Sequence, residues 1–150
     1  GNSMNNQDFT LLNNVNRAII KFRGIYSLWS STFGISYHEM LVLYTIREHG
    51  FCTQKQICDS YLLPRQTMNN VITGLRNQGI LEVNPALNIG REKVFVLTEY
   101  GTAHTAPLLK SMNDFESRAV ELLGAEKLEA LTSLMLEYDQ ALSQALKESR

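Results

Sequence analysis

The chain is poor in the residues that staple or break structure, with two cysteines, three prolines and one tryptophan in 150 residues. Cys52 and Cys58 are too few for a disulfide framework, and their separation is not the compact spacing of a dithiol or thiolate metal site. A zinc site would need a His/Glu/Cys cluster, and His38, His49, Cys52 and His104 show no adjacent spacing that requires one. No apolar run approaches the roughly 20 residues of a membrane span, and no charged-then-apolar leader opens the chain. The expected location is the cytoplasm, with no membrane contact. Catalytic signatures are missing too: there is no nucleophile elbow, phosphate-binding loop, H-E-x-x-H or G-x-G-x-x-G. The expectation is a protein with no catalytic residue, no metal and no cofactor.

A dominant charge is also lacking, since 14 Lys/Arg stand against 15 Asp/Glu. Acid and base are nevertheless segregated. Residues 1–46 carry three Lys/Arg and two Asp/Glu, residues 47–93 six and four, and residues 94–150 five and nine. The middle of the chain is mildly basic and the C-terminal third acidic. A 44% hydrophobic content over this length predicts a single folded chain, 1–150, with a substantial core. Gly1-Asn2-Ser3 precede Met4 and enter no part of the reading.

What is present is concentrated between Ser60 and Thr98. Met68, Val71, Ile72 and Leu75 recur at i, i+3, i+4 and i+7, the spacing of one apolar helical stripe. Pro64 suits the first helical position and Gly79 a left-handed C-terminal cap, which predicts a helix over about 64–78. The opposite face carries Arg65, Gln66, Asn69, Asn70, Thr73 and Arg76, donors and acceptors that match base edges and phosphates in a major groove. Upstream, a short helix capped by Thr53 is expected to turn Ile57, Cys58 and Tyr61 inward before a tight turn at Leu62 and Leu63. Two helices joined by so short a turn form a helix-turn-helix. Downstream, Ile80-Leu-Glu-Val and Val94-Phe-Val-Leu read as strands around the turn-rich Asn84-Pro-Ala-Leu-Asn-Ile-Gly-Arg, a hairpin whose tip carries Arg91 and Lys93. A basic tip there can reach a phosphate backbone or a minor groove, although Glu92 between the two cations weakens the local field.

Long amphipathic helices flank this unit. Phe9, Leu12, Val15, Ile19, Phe22, Tyr26 and Trp29 form a stripe over 8–31. Ser36 and Glu39 make a capping box for a helix through His49, with Met40, Leu43, Tyr44 and the stem of Arg47 as its core face. After Thr98 a helix runs to about Leu123, Gly124 breaks it, and a last helix from Ala125 carries Leu128, Leu131, Met135, Tyr138, Leu142 and Leu146. Helices this apolar at both ends call for a partner, the alternative being a self-contained helical bundle in which the stripes are internal core. The fold class is mainly α with a small β-hairpin (α+β): a winged helix-turn-helix with N- and C-terminal dimerisation helices.

Three segments carry a family resemblance: Pro64-Arg-Gln-Thr-Met-Asn-Asn-Val-Ile, the helix exit Leu75 to Leu81, and Arg91-Glu-Lys-Val-Phe-Val-Leu-Thr-Glu-Tyr-Gly101. With them the chain resembles the MarR family of transcriptional regulators over nearly its whole length. In that family an aspartate and an arginine at the wing tip precede the returning strand, followed by Leu-Thr and a Gly. Arg91, Leu97, Thr98 and Gly101 fit; Asn88 and Ile89 stand where the aspartate belongs. The resemblance implies a homodimer built from helices 8–31 and 99–148 around a DNA-binding region at 36–98, binding a pseudo-palindromic operator on double-stranded DNA as a repressor. The implied DNA contacts are Thr53 and Lys55 on the backbone, Arg65, Gln66, Thr67, Asn69, Asn70, Thr73 and Arg76 in the major groove, and Arg91 and Lys93 on the wing. It also implies a pocket for a small aromatic or amphipathic ligand, for which Phe22, Tyr26, Trp29, Tyr37, His38 and Tyr44 are the candidate lining, and release of the operator by that ligand. Two alternatives stay open: a winged-helix protein-interaction module without specific DNA binding, and a redox-sensing regulator using Cys52 or Cys58.

Overall fold

The computed structural model describes residues 3–150; Gly1 and Asn2, set aside above, lie outside the described residues. Six helices and one hairpin follow in the order α1 (Asn6–Thr32), α2 (Tyr37–His49), α3 (Gln54–Tyr61), α4 (Arg65–Asn77), β1 (Leu81–Val83), β2 (Phe95–Leu97), α5 (Glu99–Leu123) and α6 (Ala125–Glu148). This is the mainly α, winged-helix class the sequence predicts. The chain divides into two compact units, one ending at Thr105 and the other spanning Ala106–Arg150.

In the first unit local signals set most boundaries. Asn5 caps α1 by accepting from the Asp8 N–H at 2.8 Å. Ser36 and Glu39 form the expected reciprocal capping box on α2, and Gly50 ends that helix at φ +83°. Thr53 and Gln56 form a second box on α3, satisfying two N–H groups that the first turn leaves without helical partners. At the exit of α4 the Gly79 N–H donates to the Arg76 carbonyl at 2.9 Å and the Ile80 N–H to that of Leu75 at 3.0 Å, a Schellman closure that requires the positive φ of Gly79.

Burial departs from expectation on α2 and α3. Helix α2 buries Met40, Leu41, Val42, Leu43, Thr45 and Ile46, more than the one stripe expected, because α1, α3 and α4 all pack against it. Tyr44 and Arg47 are only half-buried. Tyr61, expected inward, is 37% exposed, because α3 ends there and the left-handed Leu62 swings the chain away. Pro64 sits one residue outside the first helical position, as the N-cap of α4 with extended ψ 141°. The core joins Val42 and Ile46 of α2, Ile57 and Cys58 of α3, Met68, Ile72 and Leu75 of α4, and Leu81 and Phe95 of the hairpin.

Strands β1 and β2 pair antiparallel with Leu81 opposite Leu97 and Val83 opposite Phe95; each is one residue shorter than the predicted run. Outside that ladder Cys52 forms an isolated antiparallel bridge to β2, exchanging both backbone hydrogen bonds with Phe95 at 3.0 and 2.8 Å. The loop between the strands holds a 3-10 turn at Pro85–Leu87. Its tip is closed by mutual hydrogen bonds between Ile89 and Glu92, with Gly90 at φ +60° as the first central residue of the turn.

In the second unit α6 buries no residue; Leu128, Met135 and Tyr138 are half-buried, while Leu131, Leu142 and Leu146 are exposed. No helix among the described residues is long and apolar enough to cross a membrane.

Candidate nucleic-acid interface

Burying Met68, Ile72 and Leu75 turns the polar face of α4 outward. Arg65, Gln66, Asn69, Asn70, Thr73 and Arg76 are all exposed, and Thr67 is half-buried. None of the large exposed apolar side chains among the described residues falls between positions 63 and 80. A protein-docking helix would be expected to present aromatics or leucine there.

These side chains are held in specific arrangements. The Gln54 Nε2 donates to the Asn69 Oδ1 at 3.0 Å, linking α3 to α4, and the Gln66 Nε2 donates to the Asn70 Oδ1 at 3.0 Å along α4. Each amide acceptor has a second lone pair and each partner keeps free N–H groups, so bidentate pairing with a base edge stays open. The Arg76 guanidinium lies 5.7 Å from the centre of the Phe95 ring, which aims it by cation–π contact. Lys55 pairs with Asp59 at 2.7 Å, and that contact raises its pKa. Arg65 pairs with Glu92 at 3.3 Å.

The wing adds Arg91 and Lys93, both exposed. Asn88, near the place where the resembled family has its aspartate, accepts the Val94 N–H through its side chain at 3.0 Å and so braces the loop from within. Together Gln54, Arg65, Arg91, Glu92, Lys93 and Phe95 line a cleft of about 180 Å³. Sequence reasoning missed Gln54, whose only local signal is its place directly after the Thr53 cap. Thr53 itself is a correction. It is buried, and its hydroxyl accepts the Gln56 N–H at 3.0 Å, so it serves the helix cap and is not presented to a DNA backbone.

A second cleft, of about 220 Å³, lies among α1, α2 and α3 and is lined by Tyr26, Tyr37, Met40, Leu41, Tyr44 and Tyr61. Three of the six expected residues meet there. Phe22, Trp29 and His38 do not line it: Phe22 points to solvent, and Trp29 packs at a tilt against Phe33 with ring centres 5.4 Å apart. Two cations flank the tyrosines, Arg23 at 4.7 Å from the Tyr37 ring and Arg47 at 4.7 Å from that of Tyr44.

Both cysteines are buried. Burial pushes the Cys52 thiol from its ordinary 9.0 up to about 12 and raises that of Cys58. A peroxide sensor needs an accessible thiolate near neutral pH, which burial withholds here. No group of three metal-binding side chains occurs among the described residues.

Residues 33–91 match the sequence profile of the MarR family. A MarR family regulator from Neisseria meningitidis shares 26% identity with a TM-score of 0.84, covering 98% of this chain and 100% of its own. A MarR variant from E. coli complexed with operator DNA aligns at 18% identity and TM-score 0.66, over 91% of this chain and 99% of its own. BpsR of Bordetella bronchiseptica, whose DNA binding is regulated by 6-hydroxynicotinic acid, aligns at 18% identity and TM-score 0.64, over 87% and 98%. No curated protein matches the sequence.

Proposed function

Because residues 33–91 match the MarR family profile, we propose that the protein is a transcriptional regulator of that family: a cytoplasmic, homodimeric repressor that binds a pseudo-palindromic operator and is released by a small ligand. The observation that carries the DNA reading is the outward face of α4, an amide- and arginine-bearing surface free of exposed apolar side chains. In this reading residues 36–98 are the DNA-binding region. Gln66, Thr67, Asn69, Asn70, Thr73 and Arg76 face base edges with Arg65 beside them, Lys55 meets the backbone, and Arg91 and Lys93 reach from the wing. The operator complex of the E. coli relative supports it.

The dimer is argued from uncovered apolar surface. On α1, Phe9, Leu11, Ile20, Phe22, Ile25 and Leu28 are exposed, Leu28 by 72%, and on α6 Leu134, Leu136 and Leu146 are exposed as well. Patches this apolar on helices mark interaction surfaces, and a second copy presents the same surfaces in return. Helices 8–31 and 99–148 are assigned to it.

The ligand is a small aromatic acid. Four tyrosines supply ring faces and hydroxyl groups, while Arg23 and Arg47 supply the positive charge that a carboxylate needs. The regulation of BpsR by a hydroxylated aromatic acid supports this assignment.

The test is fluorescence anisotropy on duplex from the protein's own upstream intergenic region and on a scrambled duplex, titrated over salt. Sequence-dependent binding is expected, with the slope of log K against log salt about 0.9 shallower in Arg91→Ala, the loss of one phosphate contact. Millimolar 6-hydroxynicotinic acid is then expected to weaken operator binding. Equal affinity for the two duplexes would sink the repressor reading; binding indifferent to the acid would remove that ligand class.

A further inference from the structure

Wing and recognition helix meet at a carboxylate. Of the side chains lining the cleft beside α4, Arg65, Arg91 and Lys93 are cationic and Glu92 is the one acid. Glu92 is the more enclosed member of its ion pair, with a side chain 25% exposed against 59% for Arg65. Its Oε1 accepts the backbone N–H of Lys55 at 3.0 Å and the Arg65 Nη1 at 3.3 Å. The Lys55 N–H lies in the first turn of α3 and has no partner within the helix, so the carboxylate is anchored there at the same time as it holds the arginine. The wing carrying it is fixed at its base by the Cys52–Phe95 hydrogen bonds and at its tip by the Ile89–Glu92 turn.

A carboxylate placed this way does to Arg65 what a DNA phosphate would do. We infer that Glu92 is an intramolecular stand-in for phosphate that restrains Arg65, so that DNA engages this arginine only by displacing Glu92, and sequence-independent binding is thereby held down. The inference rests on the DNA-binding reading above. Phosphate contacts carry affinity without sequence information, so an arginine engaged internally lowers the background against which the amide face discriminates. Lys55, paired with Asp59, is restrained in the same way by its own helix. Glu92 differs in acting across the chain, from the wing to the start of α4.

Glu92→Gln isolates the effect, because the amide oxygen can still accept the Lys55 N–H while the negative charge on Arg65 is removed. The experiment compares wild type, Glu92→Gln, Arg65→Ala and the double variant on operator and scrambled duplexes over a salt series, with each melting temperature recorded. Glu92→Gln is expected to bind the scrambled duplex about 2- to 5-fold tighter, the range for releasing one exposed ion pair. Its salt slope is expected to steepen by about 0.9, one added phosphate contact. Both gains should vanish in the double variant. Scrambled-duplex binding by Glu92→Gln no tighter than wild type, or a gain that survives without Arg65, overturns the role of Glu92 while leaving the repressor reading intact. Wild type that binds neither duplex overturns the repressor reading and this inference with it.

Discussion

Replacing Gly101 with alanine is expected to cost the fold about 3 kcal/mol and to lower the melting temperature by roughly 6–12 °C. Gly101 opens α5 against the exit of α4. A Cβ built on it would meet the Ile80 carbonyl oxygen well inside van der Waals contact, with the carbonyl carbon at 2.9 Å and the Ile80 Cα at 3.0 Å. These are backbone atoms, so no rotamer change relieves the collision. They are also held in place. The Thr98 N–H donates to the Ile80 carbonyl at 3.0 Å, and the Thr98 hydroxyl donates to that of Gly79 at 2.5 Å while accepting the Gly101 N–H at 2.8 Å. Gly74, inside α4, has nothing within 4 Å of an added Cβ and a helical backbone, so Gly74→Ala should gain about 0.5–1 kcal/mol under the same melt. A Gly101→Ala protein that melts within 2 °C or so of wild type would show that the joint between α4 and α5 yields more readily than this geometry allows.

The second large effect is expected at Asn69. Its Oδ1 takes the Gln54 amide at 3.0 Å, which fixes the side chain on the exposed face of α4 and leaves a lone pair and both N–H groups for a base edge. An asparagine of this kind pairs with adenine through two hydrogen bonds. Asn69→Ala should therefore lose about 1–3 kcal/mol on the operator, roughly a 5- to 150-fold weaker Kd, with little change on scrambled duplex. Competition binding on the two duplexes reads the difference. Equal losses on both would mean that Asn69 serves the backbone or the α3–α4 contact and not base recognition.

Glu92 and Asn69 show how unevenly the interface could be read from the chain. The exposed position of Asn69 follows from the Met68, Ile72 and Leu75 stripe, a period that any window over 64–78 displays. Its hydrogen bond to Gln54, 15 positions away, has no such signature. Glu92 is expected from sequence to weaken the field of its two neighbours; in the structure it reaches back 37 positions to Lys55 and takes Arg65 as its partner. The Thr53 cap was legible, while the burial that withdraws it from DNA was not, since burial depends on what packs over α3. The tyrosine cleft divides in the same way: Tyr26 and Tyr44 lie on the apolar stripes of α1 and α2 that the sequence displays, whereas Tyr61 joins them only because α3 packs beside those helices.

Local patterning alone dictates the helix caps at Ser36 and Thr53, the Gly79 and Gly124 breaks, the hairpin and the polar face of α4, because each depends on interactions within a few residues. The docking of α2, α3, α4 and the hairpin dictates the rest: the Cys52 bridge to Phe95, the unreactive environment of its thiol, and the carboxylate on Arg65. Those features arise where separately specified surfaces meet, and the hydrogen bonds across such a meeting are set by geometry between elements, which the periodicity of a single element does not encode.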